Sequence, residues 1–115
     1  MAWRPSAEEK ARDRETNRLV YVNASVIHGW GLFAREPIAG EVYIGTYLGP
    51  MAKANGSHVL WIEDEDGEWI GRRGFNRLRY LNHSAEPNAE FDGFDLYSLR
   101  PIAPDEEITI DYHWD

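Results

Sequence analysis

Turn-forming residues interrupt this sequence so often after residue 32 that no long helix can form there. Pro37 and Gly40 follow the apolar run 32–34, and Gly49 and Pro50 follow the stretch 41–48. The turn Pro101–Pro104 separates the last two apolar stretches, 94–99 and 108–110. Proline and glycine are the strongest local breakers of regular structure. The apolar stretches between them are short and closely spaced, which is typical of β-strands. We therefore expect a mostly β fold with little helix.

Six stretches are predicted as strands: 19–22, 41–48, 59–62, 69–70, 94–99 and 108–110. The third and fourth flank Asp64–Gly67, so we expect a hairpin with an acidic tip. A short helix is predicted around Asn76–Asn82. Residues 1–18 are polar, with Ser6 and Glu9 spaced as a capping box, but no apolar stripe follows. That segment is expected to be a solvated helix or a loose arm before one domain at 19–115.

Composition and charge exclude several classes of protein. The chain has 115 residues, which fits one domain, and no cysteine, which excludes disulfides, cysteine-based metal sites and thiol nucleophiles. No apolar run approaches the roughly 18 residues of a membrane span, and residues 1–18 lack a signal-peptide core. We expect an intracellular protein that does not bind membranes. The net charge of −8 disfavours nucleic acid and favours a basic partner, although it also simply promotes solubility.

Several familiar site patterns fail. The run from Gly29 to Ala34 has the outline of a dinucleotide-binding motif, but Pro37 and Gly40 prevent the helix that this motif needs. Its glycines indicate a positive φ or a close backbone approach, to a ligand or in a plain bulge or loop. The acidic tip lacks the acids of a calcium loop. The four histidines have no metal-ligand spacing, and no metal site is expected. Ser84 follows His83 without a nucleophile elbow.

The segment Arg79–Asn88, with sequence R-Y-L-N-H-S-A-E-P-N, is dense in short polar side chains that build rigid loops. It resembles the R-F-I-N-H-S-C-x-P-N motif of SET-domain protein lysine methyltransferases. Three other segments resemble motifs of the same family in the same order. They are Gly29–Gly31 for G-x-G, Tyr47–Gly49 for E-Y-x-G with Thr46 in place of the glutamate, and Glu106–Tyr112 for G-E-E-L-T-x-D-Y. The resemblance runs from about residue 19 to residue 115.

The resemblance implies a SET-domain fold of small curved β-sheets, with a C-terminal pseudo-knot that threads the Tyr112 segment beneath a loop near Asn82 and His83. It also implies methyl transfer from S-adenosylmethionine to a lysine ε-amine, with the lysine entering a narrow channel opposite the cofactor. A lysine with a pKa near 10.4 must first lose its proton, which costs about 4.6 kcal/mol at pH 7. An apolar channel lowers that cost, since it disfavours the charged form.

The resemblance also assigns roles to residues. Tyr112 matches the catalytic tyrosine, and Tyr47 is expected to act beside it and to line the lysine channel. The cofactor is expected to contact the Trp30 backbone within Gly29–Gly31, Asn82 and the His83 backbone, with Arg79 supporting that loop. His28 is also included among the cofactor-binding residues, and His58 stands where the family often has a tyrosine. The expected channel walls are Phe91, Ile110 and Trp114, each of which could equally be core packing.

The departures from the family pattern concern the rest of the site. There are no cysteine-rich flanks, and only three residues follow Tyr112, where many relatives have a zinc-binding segment that closes the adenine pocket. A second subunit in a homodimer, or residues 1–18, is expected to supply that wall. The expected substrate is a basic, lysine-containing protein such as a histone, a DNA-bound protein or a ribosomal protein. The alternatives are a SET-like binding module without turnover and a purely structural protein.

Overall fold

The structure, a computed structural model, describes residues 2–112. Helix α1 spans Ala7–Leu19, and a 3₁₀ helix spans Arg77–Tyr80 within the predicted short helix. The predicted capping box is present at the start of α1. The Glu9 backbone N–H donates to the Ser6 hydroxyl at 3.1 Å, and the Ser6 N–H donates to the Glu9 carboxylate at 2.8 Å. Two otherwise unpaired amide groups are thereby satisfied, so the helix begins at this point.

Helix α1 is docked on the β domain and is not a loose arm. The hydroxyl of Thr16, which is 2% exposed, donates to the Ile44 carbonyl at 2.9 Å. The Asp13 carboxylate accepts from the Asn76 amide at 2.9 Å. These contacts are polar, which explains why the helix needs no apolar stripe. The sequence pattern therefore predicted the helix correctly but gave no sign of its docking.

Ten short strands form three small sheets. One sheet has the order β1-β2-β10-β7, the second β3-β9-β8 and the third β4-β6-β5. The strands are β1 Val20–Ala24, β2 Trp30–Ala34, β3 Tyr43–Thr46, β4 Met51–Ala52, β5 Val59–Glu63, β6 Trp69–Arg73, β7 Asn82–His83, β8 Ala89–Asp92, β9 Asp95–Ser98 and β10 Glu107–Ile110. The predicted hairpin is present, since β5 and β6 pair antiparallel from Val59 with Arg73 to Glu63 with Trp69. The mostly β class is confirmed.

The four-stranded sheet contains two features that position the site. Strand β2 is an inner strand, since it lies between β1 and β10, and its residues Leu32 and Ala34 are fully buried. The glycines of this segment had indicated either a close approach or a plain bulge or loop. Strand β10 lies between β2 and β7. It pairs in parallel with β7, with Thr109 opposite Asn82 and Ile110 opposite His83. This pairing brings the C-terminal part of the chain alongside the Asn-His segment.

A single apolar core joins the first two sheets, and α1 packs against its edge. The fully buried side chains come from both sheets, from the 3₁₀ helix and from the isolated bridge between Ile38 and Ile102. Burying one such side chain contributes about 1.5–3 kcal/mol, so this core holds the short strands in place. Its largest fully buried apolar side chains are Val20, Leu32, Ile44, Leu78, Leu96, Ile102 and Ile108.

Candidate active site

A cleft of about 990 Å³ lies among strands β5 and β8, the 3₁₀ helix and the end of β10. The tyrosines Tyr47 and Tyr112 and the expected channel residues Phe91 and Ile110 meet in its lining. His58 and Arg79, which were predicted to contact the cofactor, line the same cleft. Trp114 lies outside the described residues. The predicted cofactor-binding segment at 28–31 and the side chains of Asn82 and His83 are not part of this lining. The predicted site residues therefore form two groups, the cleft and the glycine loop.

Tyr112 is held at both ends by the segment Leu81–His83. Its hydroxyl donates a short hydrogen bond to the Leu81 carbonyl oxygen. Its backbone N–H donates to Nδ1 of His83 at 3.1 Å. The two rings are 5.5 Å apart. These contacts fix the phenol at the cleft. Its acceptor residue, Leu81, immediately precedes Asn82 in the sequence.

Tyr47 is fixed in a similar way from another wall of the cleft. The residue is 5% exposed, and its hydroxyl donates to the His58 carbonyl oxygen. The ring of Phe91 stands nearly perpendicular to it at 5.8 Å. His58 itself has a φ of 60°, and its Nδ1 lies 3.0 Å from the Arg79 carbonyl oxygen. His58 therefore lies in the cleft beside Tyr47 and Phe91, which were expected to line the lysine channel.

Burial keeps both phenols neutral. Removal from water raises the pKa of Tyr47 well above its usual value, the nearby Tyr112 raises it further, and the positive charge of Arg79 lowers it. Burial also raises the pKa of Tyr112. At neutral pH each hydroxyl therefore keeps its proton and acts as a hydrogen-bond donor, with its oxygen lone pairs still able to accept.

Arg79 holds the turn that precedes Leu81. Its guanidinium donates to the carbonyls of Phe75 at 2.6 Å and Asn76 at 3.0 Å. It also donates to the Tyr80 hydroxyl at 2.8 Å and lies over the Tyr80 ring at 4.4 Å. Since its hydrogen-bonding partners all lie within 75–80, the guanidinium stabilises the turn that leads into Leu81.

The glycine loop at 28–31 is tied to Asn82. The Asn82 side-chain nitrogen donates to the carbonyls of His28 at 3.0 Å and Trp30 at 3.1 Å. Gly29 has a φ of 45°, and the Trp30 side chain is 60% exposed. A side-chain carbon at Gly31 would overlap the Glu107 carboxylate. Both glycine roles expected from the sequence, a positive φ and a close approach, are therefore present in this loop.

Three contributors to the site could not be assigned to it from the sequence, although Glu107 lies in a recognised motif. The Leu81 carbonyl is a backbone group and has no side-chain signature. Ser25 and Glu107 hold the glycine loop, since the Ser25 hydroxyl lies 2.8 Å from Glu107 Oε1 and also accepts from the Ile27 N–H at 2.9 Å. Their spacing of 82 residues hides the pair, and only the register of β10 against β2 brings them together.

The loop fits a ligand that carries both an amino-acid end and a flat ring. The Asn82 side-chain nitrogen is held by the carbonyls of His28 and Trp30, and carbonyl and amide oxygens are acceptors that suit an ammonium group. The exposed indole of Trp30 offers an aromatic face. Within residues 2–112 no group of three or more His, Asp or Glu side chains could hold a metal ion. No helix in the same range is long and apolar enough to cross a membrane.

The fold and the two-part site define a class of small β domains in which a buried tyrosine cleft adjoins a glycine loop. The model of the SET-domain family matches residues 29–113, and the chain belongs to that family. Arabidopsis thaliana histone-lysine N-methyltransferase MEDEA is 30% identical over 118 residues, which cover 85% of this chain and 17% of that protein. Human histone-lysine N-methyltransferase SETD1A is 33% identical over 110 residues, covering 76% of this chain and 6% of that protein.

Solved structures agree on the fold. The methyltransferase domain of human histone-lysine N-methyltransferase SETMAR superposes with a TM-score of 0.70 at 24% identity, over 81% of this chain and 44% of that one. The methyltransferase domain of human PR domain-containing protein 2 superposes with a TM-score of 0.65 at 23% identity, over 95% and 87%. The chain spans under a fifth of the length of the curated relatives described above.

Proposed function

We propose that this protein is an S-adenosylmethionine-dependent lysine methyltransferase that acts on a basic protein. The observation that carries the proposal is the contact of Tyr112 with Leu81. Leu81 directly precedes Asn82, which ties the glycine loop. One short segment thus links a neutral phenol in the cleft to the loop that suits a cofactor. The names of the relatives, all histone-lysine methyltransferases among those reported above, support the same reaction class.

The glycine loop and Asn82 are the groups that would hold S-adenosylmethionine. The carbonyls of His28 and Trp30 and the amide oxygen of Asn82 suit its ammonium group, the backbone of His83 suits its adenine, and Trp30 offers an aromatic surface. When bound, S-adenosylmethionine would supply an electrophilic methyl group on its sulfonium, which would leave a neutral thioether after transfer. The protein supplies the binding groups and the orientation of the acceptor amine.

The cleft provides the two conditions that methylation of a lysine needs, which are a lowered pKa of the entering amine and a fixed orientation of that amine. Its aromatic and aliphatic lining, with Tyr47, Phe91 and Ile110, disfavours the ammonium form and so lowers the pKa of the entering amine. The proton leaves to water at the open cleft, since both tyrosines are neutral and neither is a base. The Tyr112 hydroxyl and the Leu81 carbonyl are fixed acceptors that would hold and orient the entering amine. Such orientation can supply several kcal/mol of the barrier reduction.

The electrostatics of the protein support a basic substrate, such as a histone, a DNA-bound protein or a ribosomal protein. The net charge is −8. Glu63 and Glu90 line the cleft, and Arg79 is engaged with its own loop. Complementary charge raises the rate of encounter more than it raises affinity. An intracellular location belongs to the same proposal, because the relatives are named for histone substrates.

The wall that closes the channel is assigned, as part of the proposal, to a second copy of the chain or to residues 1–18. The N-terminal segment already reaches the neighbourhood of the cleft, since Trp3 packs edge-on against Phe75 at 5.1 Å. Sedimentation velocity of the full chain, compared with the activity of a chain that lacks residues 1–18, tests this assignment. A strict monomer whose truncated form keeps full activity would reject it.

The central experiment is transfer of a radiolabelled methyl group from S-adenosylmethionine to a mixture of histones and other basic proteins. The expected result is label on lysine, lost with Tyr112→Phe. Calorimetry with S-adenosylmethionine runs in parallel. Cofactor binding without transfer to any protein would instead identify a SET-like binding module, and no binding would identify a structural protein.

A further inference from the structure

Strands β5 and β6 carry two tryptophans and a glutamate on one face. Glu63 stands directly opposite Trp69, and Trp61 stands opposite Gly71. Residues directly opposite in an antiparallel pair share a face, and so do residues two apart along a strand. A side-chain carbon at Gly71 would lie 2.7 Å from the Trp61 ring, so this indole covers Gly71, the next position on that face after Trp69. The three side chains of Trp61, Glu63 and Trp69 form the hairpin face.

The hairpin face is open to solvent and its charge is not neutralised. Trp69 is 64% exposed, and Glu63 is exposed as well. Within residues 2–112 no lysine, arginine or histidine forms an ion pair with Glu63. Arg73 lies on the same face, but it stands opposite Val59 at the other end of β5. An exposed indole beside a carboxylate without a cation offers the two surfaces that bind a cationic side chain.

The hairpin face belongs to the same cleft as the two tyrosines, since all three of its residues line that cleft with Tyr47 and Tyr112. A compact volume of about 990 Å³ is about 12 Å across, which roughly four extended residues span. A peptide whose lysine lies at the tyrosines therefore brings a nearby side chain to the hairpin face. Glu90 on β8 also lines the cleft, but its cross-strand partner Tyr97 does not, so that carboxylate has no aromatic neighbour within the lining from its own pair.

An arginine suits the hairpin face better than a second lysine. The flat face of a guanidinium stacks on an aromatic ring, and its N–H groups donate in pairs to a carboxylate. A lysine ammonium is a more strongly hydrated point charge and has no flat face. Because Glu63 and Trp69 are directly opposite each other, one guanidinium can use both.

We infer that the hairpin face is a subsite for an arginine of the substrate, within about four residues of the lysine that is methylated. Glu63 pairs with the guanidinium and Trp69 stacks on it. The inference rests on the proposed function, because one peptide has to occupy both the tyrosines and the hairpin face. It narrows the substrate from basic proteins in general to those with an arginine close to the target lysine.

Fluorescence anisotropy with short labelled peptides tests the subsite on the full chain. Each peptide carries one central lysine in a glycine-serine background and one arginine at one of the other positions. Its matched partner carries citrulline there, which has nearly the same shape and no charge. We expect arginine to bind about fivefold more tightly than citrulline at one or two positions and equally at the rest.

Four variants show which side chains carry that preference. Glu63→Gln and Trp69→Leu each remove most of it, whereas Trp69→Phe keeps part of it, because an aromatic face remains. Glu65→Gln is the matched control. Glu65 carries the same charge at the tip of the same hairpin and is not part of the cleft lining, so this variant keeps the full preference. Since Glu63, Glu65 and Trp69 are all exposed, these substitutions leave the core intact.

The pattern of losses decides the inference. If Glu63→Gln and Glu65→Gln lower the preference equally, the carboxylate acts only through net charge and the inference is wrong. It is also wrong if arginine binds no more tightly than citrulline at any position, and methyl transfer to histones in that case leaves the proposed function intact. A preference that depends on Glu63 and Trp69, without methyl transfer to any protein, would support the subsite and reject the proposed activity.

Discussion

The hydroxyl of Tyr112 donates its hydrogen bond to the backbone carbonyl oxygen of Leu81, 31 residues earlier in the chain. The contact exists because β10 pairs in parallel with β7, which places the residues after Ile110 beside the residues around Asn82. A C-terminal side chain is thereby held by the segment that also ties the glycine loop. The strand pairing, and not local sequence, brings the two halves of the site together.

Tyr112→Phe is expected to abolish methyl transfer with little effect on binding. The variant keeps the ring and its contact with His83 and loses only the hydroxyl. Loss of one fixed polar group at the reacting atoms costs about 100-fold or more in kcat, while the free energy of unfolding falls by about 1 kcal/mol. Initial rates of transfer, calorimetry with S-adenosylmethionine and urea unfolding measure the three quantities.

Tyr97→Phe is the matched control for that variant. Tyr97 lies on β9 against Tyr43, with ring centroids 5.9 Å apart, and is not part of the cleft lining. We expect that removal of its hydroxyl changes the rate of methyl transfer by less than about twofold. Equal losses of rate in the two variants would show that the Tyr112 hydroxyl has no special part in the reaction.

The pH dependence of the rate is expected to show one rising limb. Burial raises the pKa of both Tyr47 and Tyr112, so neither phenol ionises below about pH 10. The entering lysine loses its proton as the pH rises, and the rate therefore increases up to tenfold per unit until the pKa of the bound amine is reached. Rates at saturating substrate between pH 6.5 and 9.5 test this. A descending limb near neutral pH would contradict it.

Much of the fold followed from local signals. The capping box of Ser6 and Glu9 marks the start of α1, and the acidic tip between two apolar runs marks the β5–β6 hairpin. Strand β2 was harder to recognise, because Gly29 and Gly31 lower the strand propensity of a segment whose burial comes from sheet pairing. The docking of α1 depends on single polar contacts such as that of Thr16 with Ile44, which no periodic pattern reports.

The site was predictable where it consists of side chains within motifs. Tyr47 and Tyr112 were named from motifs, and they line one cleft in the structure. Phe91, which lies outside those motifs and was expected either as a channel wall or as core, lines the same cleft. The carbonyl acceptors could not be named, since every residue has one and only the fold decides which carbonyl faces the phenol. Glu107 belongs to a recognised motif, but its contact with Ser25 depends on the register of distant strands.

Gly31→Ala is expected to weaken both stability and cofactor binding. The new methyl group would overlap the Glu107 carboxylate and come within 3.0 Å of the Ser25 side chain. The two groups are tied to each other, and Glu107 is also tied to Asn82, so they cannot move freely. Such overpacking costs about 1–3 kcal/mol, and the displaced loop raises the Kd for S-adenosylmethionine severalfold. Chemical unfolding and calorimetry measure the two effects.

Gly67→Ala separates the effect on binding from a general loss of stability. Gly67 has a φ of +79° and open space around its α-carbon, at the tip of the β5–β6 hairpin. An alanine there costs about 1 kcal/mol through backbone strain alone, with no change in cofactor affinity. If both alanine variants bind the cofactor as tightly as the unaltered protein, the close approach at Gly31 has no bearing on the site.

Asn76→Ala is expected to disturb the backbone on both sides of Tyr47. The Asn76 side chain is buried. It donates to the Thr46 carbonyl at 2.8 Å and to Asp13 at 2.9 Å, and it accepts from the Leu48 N–H at 3.3 Å. Alanine leaves buried backbone groups without these partners, which costs about 2–4 kcal/mol. Asp13→Ala removes only the contact with helix α1 and costs about 1 kcal/mol or less.

The same pair of variants also tests whether this network positions Tyr47 for the reaction. At a temperature where both variants are folded, Asn76→Ala lowers kcat about tenfold, because the segment that carries Tyr47 loses two of its backbone contacts. Asp13→Ala leaves kcat unchanged, since both contacts beside Tyr47 remain. Urea unfolding followed by transfer assays gives both measurements. Equal unfolding free energies and equal rates for the two variants would mean that Asn76 serves only to dock α1.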